Sequence, residues 1–72
     1  TADGYICAQK DGRYGVFSSS GRAIYPVECD NIDFEPSKNL FTYGAVNARL
    51  NGQRIRIDQQ GNAVYQYSYM VD

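Results

Sequence analysis

Lys10-Asp11-Gly12-Arg13-Tyr14-Gly15-Val16-Phe17 ends one β-strand, reverses on Asp-Gly and begins the next. Asp-Gly between two β-type runs is among the strongest local hairpin signals, because both turn positions of a type I′ turn need positive φ. Placing Lys10 opposite Arg13 sets the ladder. Ala8 then faces Gly15 and Ile6 faces Phe17 on one side of the ribbon. Gln9 faces Tyr14 and Cys7 faces Val16 on the other. Both sides carry apolar groups, so this hairpin is expected to be covered on both.

The same unit recurs as Leu50-Asn51-Gly52-Gln53-Arg54-Ile55-Arg56-Ile57. Gly44, Gly52 and Gly61 each follow Gly4, Gly12 and Gly21 by forty positions, and Ala48, Ala63 and Tyr65 follow Ala8, Ala23 and Tyr25 by the same interval. Glycines at three turns in one register predict an internal duplication, with one copy over about 4–43 and the other over about 44–72. In the second hairpin, Ala45 to Asp58, period-2 patterning is clean. Val46, Ala48, Leu50, Ile55 and Ile57 share one face, and Asn47, Arg49, Arg54, Arg56 and Asp58 the other.

Around these hairpins, Arg22 to Tyr25 reads as a third strand, and Pro26 breaks its ladder or sits at a sheet edge. Val27 to Phe34 alternates imperfectly, Glu35 to Asn39 is a loop, and Val64 to Met70 closes the chain as a strand with Tyr65, Tyr67 and Tyr69 on one face. No stretch has helical periodicity. The expected architecture is all-β: tandem antiparallel β-hairpins in a single domain over 1–72, forming a small sheet pair or a partly closed barrel.

Seventy-two residues make one domain at most, and a chain this short buries only about 60% of its unfolded surface. Hydrophobic residues make up 43% of it, with seven Tyr, three Phe and no Trp. That is enough for a core and too aromatic for disorder. The net charge of −1 argues against a nucleic-acid partner, which calls for a basic excess. No apolar run approaches the roughly 18 residues of a membrane span. The chain begins at Thr1 rather than Met and is read as a piece of a longer protein.

The pattern of Gly, seven residues, Asp/Asn-Gly, a basic residue, aromatic-Gly, two apolar residues, a polar turn ending in Gly, then a short apolar strand and Pro resembles the WG (KWG) β-repeat family of bacterial proteins. Lys10 to Phe17, Gly21, Ile24, Pro26, Asp30 and Ile32 carry the resemblance in the first copy. Asn51-Gly52, Ile57-Asp58 and Gly61 carry it in the second. The signature Trp-Gly is Tyr14-Gly15 in one copy and Arg54-Ile55 in the other, and Gln66 replaces the Pro. The resemblance implies tandem hairpin arrays without general catalytic activity and with interaction or scaffolding roles. Repeats of this kind bury their faces against neighbours, so closure, flanking protein or self-association is expected.

Chemistry-bearing residues are few. With no His, Ser-His-Asp and Cys-His arrangements are excluded. Cys7 and Cys29 form a disulfide if their strands are neighbours, which would contribute about 3 kcal/mol; otherwise they are small buried thiols. Glu28, Asp30, Asp33 and Glu35 are an acidic cluster, read as a hard-cation site, a general acid/base pair or partners for arginines. A strand divides them between its two faces, so no metal, cofactor or catalytic residue is expected.

Two binding surfaces stand out. Arg49, Arg54 and Arg56 share the polar face of the second hairpin, with Arg49 directly opposite Arg54. Such like charges destabilise a ladder, so either internal carboxylates (Asp58 or the acidic strand) or an external anion should offset them. Tyr65, Tyr67 and Tyr69 form the second, suited to stacking or to a protein hot spot, to core lining, or to an edge that adds to a partner's sheet. The chain is therefore expected to be a non-catalytic interaction module that binds a protein partner or self-associates. The alternative is a ligand-binding accessory domain, for an anion or a carbohydrate, within an enzyme or surface protein.

Overall fold

A computed structural model describes residues 1–65 of the chain. Asp11 (φ 53°) and Gly12 (φ 77°) reverse the chain between β1 (Ile6–Lys10) and β2 (Arg13–Phe17), and Asn51 (φ 51°) and Gly52 (φ 81°) do the same between β5 (Ala45–Leu50) and β6 (Gln53–Asp58). Positive φ at both central positions is the type I′ requirement, and its twist matches that of the strands it joins. Lys10 pairs with Arg13 and Ile6 with Phe17; forty positions on, Leu50 pairs with Gln53 and Val46 with Ile57. Both ladders are regular throughout, as the turn positions predict.

The turns that follow also correspond. In the first, the Gly21 amide donates to the Ser18 carbonyl, and the Arg22 amide to the Ser18 hydroxyl. In the second, the Gly61 amide donates to the Asp58 carbonyl, and the Asn62 amide to the Asp58 carboxylate. A short side-chain acceptor at the first position organises each turn.

The strands make two open antiparallel sheets rather than a barrel. One has the order β1-β2-β3 and the other β4-β5-β6-β7, where β3 is Ala23–Cys29, β4 is Asn31–Ile32 and β7 is Ala63–Tyr65. The bend at Asp30, between β3 and β4, carries the chain from the first sheet to the second. Among the described residues there is no helix, and none is long and apolar enough to cross a membrane.

Pro26 does not end its strand; β3 continues to Cys29. It is tolerated because β3 is the outer strand and because pairing skips around it. Tyr14 pairs with Cys29 and Val16 with Tyr25, so two steps of β2 oppose four of β3. This bulge folds down onto Gly15. A Cβ there would stand 2.8 Å from the Val27 backbone and 2.9 Å from the Pro26 carbonyl carbon. Glycine at position 15 is thus demanded by close approach of backbone, not by a left-handed φ.

A single core joins the sheets. Val16, Cys29, Ile32, Leu40, Phe41, Val46, Ala48, Ile55 and Ile57 are buried, with Cys7, Tyr14 and Tyr25 packed against them. The core-facing residues of the second hairpin are those its alternation predicts. The first hairpin turns its Cys7/Tyr14/Val16 side to the core, whereas Ile6, on the opposite side, is 48% exposed.

The segment before β1 is tied to the connection between the halves. The Leu40 and Phe41 amides donate to the Asp3 carboxylate at 2.9 and 3.0 Å, and the Tyr5 and Phe41 rings meet edge to face at 4.6 Å.

Candidate functional site

Arg49, Arg54 and Arg56 lie where their alternation puts them, on the outer face of the second sheet, and all three are exposed. Arg49 pairs directly with Arg54, and Asn47 with Arg56. The Arg49 carbonyl accepts the Asp30 amide across the β4–β5 boundary, so Arg49 directs its backbone away from β6. The Arg49–Arg54 pair is therefore the non-hydrogen-bonded type, in which Cα atoms approach to about 4.5 Å and side chains are closest. Two arginine side chains leave the sheet on one face at adjacent positions here.

The internal carboxylates expected to offset them do not do so. Among the described residues no carboxylate comes within 4.0 Å of any of these three arginines. Asp58 is engaged in its own turn, accepting from the Asn62 and Gln60 amides and the Asn62 side chain. The Asn62 amide is the chief cause of its lowered carboxyl pKa, against a smaller opposing effect of desolvation. In the acidic strand, Asp30 is committed to Arg13, its Oδ1 lying 3.2 Å from the Arg13 guanidinium, and its Oδ2 accepts the Gly52 amide at 2.7 Å. This carboxylate latches the first hairpin to the turn of the second. Glu35 pairs with Lys38, both well exposed.

Two apolar neighbours extend the arginine face. Val64 pairs with Arg56 and so shares its side of the sheet, where it is 66% exposed. A depression of about 250 Å3 opens beside Arg56, lined also by Asp33, Asn47 and Tyr43. Tyr43 is 98% exposed and holds φ 56°, a left-handed conformation that an aromatic residue seldom adopts. Sequence reasoning passed over Tyr43. Its only signal was its place before Gly44 at a predicted turn.

The tyrosine surface is not assembled as expected. Tyr65 pairs with Ile55, which is fully buried, so Tyr65 is on the core side of the sheet, at its outer strand, and 46% exposed. It does not share a face with the arginines. Tyr67 and Tyr69 lie outside the described residues.

The cysteines do not bridge. Cys7 is on β1 and Cys29 on β3, with β2 between them. Two inter-strand spacings place them beyond the roughly 7 Å that a disulfide spans. Burial raises the Cys7 thiol to about 11, with the nearby Asp3 charge adding to it and the chain's terminal ammonium opposing it. Burial also raises Cys29, helped by the charges of Asp30 and Glu28. Both thiols stay protonated at neutral pH, the opposite of an activated nucleophile. Among the described residues no three His, Cys, Asp or Glu side chains are placed to hold a metal ion.

What the geometry provides is a solvent-facing rank of three forked cations, with an exposed aromatic and an aliphatic group at its margin. Compared with known proteins, the chain matches no family model, no curated protein and no solved structure.

Proposed function

We propose that the chain is a non-catalytic, WG-repeat-like interaction module built from two copies of one unit forty positions apart, and that its arginine face takes a carboxylate-bearing protein partner. The observation that carries this reading is the Arg49–Arg54 pair. Two exposed arginines stand directly opposite each other at the closest position of a ladder, with Arg56 on the same face and no carboxylate within 4.0 Å of any of the three among the described residues. An uncompensated like-charge pair costs stability, and an external anion would remove that cost. Arg and Tyr are also the residue types that dominate protein hot spots, and Tyr43 stands at the edge of the same depression as Arg56. The protonated thiols and the lack of any His support a binding rather than a catalytic role.

The test is affinity capture of a partner and sedimentation of the protein alone, comparing the natural sequence with Arg54→Ala and Tyr43→Ala. Association, whether with another protein or with a second copy, should fall at least tenfold in Arg54→Ala and weaken steeply with salt. Equal association in both variants would remove the arginine face from the proposal. If inorganic phosphate or a sulfated sugar saturates the face while no protein binds, the accessory ligand-binding reading replaces this one.

A further inference from the structure

The two hairpins differ in what lies along their first strands. β5 is covered by β4, with Asn31 opposite Arg49 and Ile32 opposite Ala48. The Asp30 amide donates to the Arg49 carbonyl at 2.8 Å and the Asp33 amide to the Asn47 carbonyl at 2.9 Å. Asp30 also reaches over the turn and accepts the Gly52 amide at 2.7 Å. Ile32, opposite Ala48, is 2% exposed, and Val46 on the same face is 4% exposed.

β1 is the outer strand of its sheet, and among the described residues nothing pairs with its free edge. Its register to β2 repeats that of β5 to β6, so the outward backbone groups fall at Cys7 and Gln9, the counterparts of Asn47 and Arg49. The Gly12 amide, counterpart of Gly52, has no hydrogen-bond partner among the described residues. Ile6, the counterpart of Val46, is 48% exposed. Each backbone group that grips β4 on the second hairpin has an equivalent on the first without a partner among the described residues.

The geometry points to the free edge of β1 as a docking site for an extended acidic-apolar peptide strand, of the chemistry Asp-x-Ile-Asp. Its first carboxylate caps the Gly12 amide, and its apolar residue lies over Ala8 and Ile6. The chain's own residues 30–33 are the template for that occupant. A row of unpaired strand groups recruits an added strand, the turn amide selects an acidic residue at one position, and exposed Lys10 beside the turn favours negative charge. This inference rests on reading the protein as an interaction module but uses a surface separate from the arginine face.

The test is NMR titration of the isotope-labelled 72-residue chain with a synthetic peptide of residues 27–35 carrying Cys29→Ser. Saturable amide shifts at Cys7, Gln9 and Gly12, absent from Asn47 and Arg49, are expected. The Asp30→Asn peptide should bind roughly tenfold more weakly, the loss of one charge-assisted hydrogen bond. The Ile6→Ser protein should also bind more weakly. Arg54→Ala should bind the peptide as the natural sequence does, so failure of the arginine face and failure of this site are separable. The inference is overturned if millimolar peptide gives no saturable shift at β1, or if the Asp30→Asn peptide binds equally well. It is also overturned if the protein alone dimerises with its Ile6–Gln9 amides already protected, which would mean that a second copy fills the edge.

Discussion

The hairpins β1–β2 and β5–β6 share a turn type, a ladder register and a forty-residue spacing, yet they bury opposite faces. In the second, Val46, Ala48, Ile55 and Ile57 turn inward and Asn47, Arg54 and Arg56 outward. In the first, the inward set is Cys7, Tyr14 and Val16, the counterparts of the outward set of the second. Backbone geometry follows from turn chemistry and does not decide which side is buried; the side-chain pattern decides that, one residue out of phase between the hairpins. Position 15 shows the consequence. The core-facing Ile55 has Gly15 as its counterpart, and the space above Gly15 is filled by the bulged backbone of β3 instead of by a side chain.

Exchanging residues across the comparison should break it most severely at position 16. Val16 is fully buried and Arg56, its counterpart, is exposed. Val16→Arg places an unpaired charge in the core and should cost about 4 kcal/mol, a large part of the stability of so small a domain. Loss of cooperative urea unfolding checks this. The reverse change, Arg56→Val, should stay within about 0.5 kcal/mol. Equal tolerance of both would mean that the hairpins do not face opposite ways.

The next effect belongs to Gly15. Gly15→Ala adds a methyl group where backbone atoms stand at 2.8 and 2.9 Å, and backbone yields less readily than a side chain. A loss of about 2 kcal/mol is expected, read as a lower urea midpoint with an unchanged slope. At Gly12, whose Cβ would meet nothing but whose φ is 77°, Ala should act through backbone strain alone and cost about 1 kcal/mol. Similar losses at both positions would argue against the bulge as the reason for glycine at 15.

The latch between the halves comes third. Asp30→Ala releases the Arg13 guanidinium and leaves the Gly52 amide uncapped, while the corresponding Gly12 amide already has no partner among the described residues. Because Asp30 is partly solvent-exposed, the loss should be about 1–2 kcal/mol. Hydrogen exchange should accelerate at Gly52 and in β4 and leave the β1–β2 ladder unchanged.

Much of this was legible in the chain and some was not, for identifiable reasons. The turns at Asp11-Gly12 and Asn51-Gly52, both registers and the core face of the second hairpin follow from local rules about φ and alternation. The facing of the first hairpin does not, because Ile6, Ala8 and Phe17 compete with Cys7, Tyr14 and Val16 on nearly equal terms. Whether Cys7 and Cys29 could bridge depended on strand order, which no local rule supplies. The role of Asp30 depended on where the chain crosses between sheets. For the candidate site, the three arginines were readable from period-2 spacing. The core-side placement of Tyr65 required its pairing with Ile55, and Tyr43 was hidden in a turn whose second residue, Gly44, accounted for the reversal by itself.

The loops that open each half give the fourth test. Partial burial works to raise the Asp3 pKa. Hydrogen bonds from the Leu40 amide, the Thr1 hydroxyl and the Phe41 amide outweigh it and hold the carboxyl at about 2, below its ordinary 3.8. A depressed pKa means stability present above about 3.8 and lost as pH falls toward 2. After allowance for solvent screening the contribution is about 1 kcal/mol. Acid unfolding of Asp3→Asn should therefore be flatter between pH 4 and 2 than that of the natural protein. The corresponding loop, with Tyr43 at the equivalent position, has no carboxylate there to titrate.

The smallest effect bears most directly on function. If the Arg49–Arg54 pair is held open for an outside anion, making it neutral in sum should help folding and harm binding. Arg54→Glu turns the closest like-charge pair on the sheet into an opposite-charge pair and should raise stability by about 0.5 kcal/mol, seen as a small upward shift of the urea midpoint that shrinks in high salt. The same variant should lose partner association. Arg54→Lys, which keeps the charge but not the fork, should leave stability unchanged and weaken association less. Stability and association rising together in Arg54→Glu would place the partner elsewhere and leave the three arginines as a solvated face. Opposite movement of the two would locate binding on the outer side of the second hairpin, the side whose counterpart in the first hairpin is buried in the core.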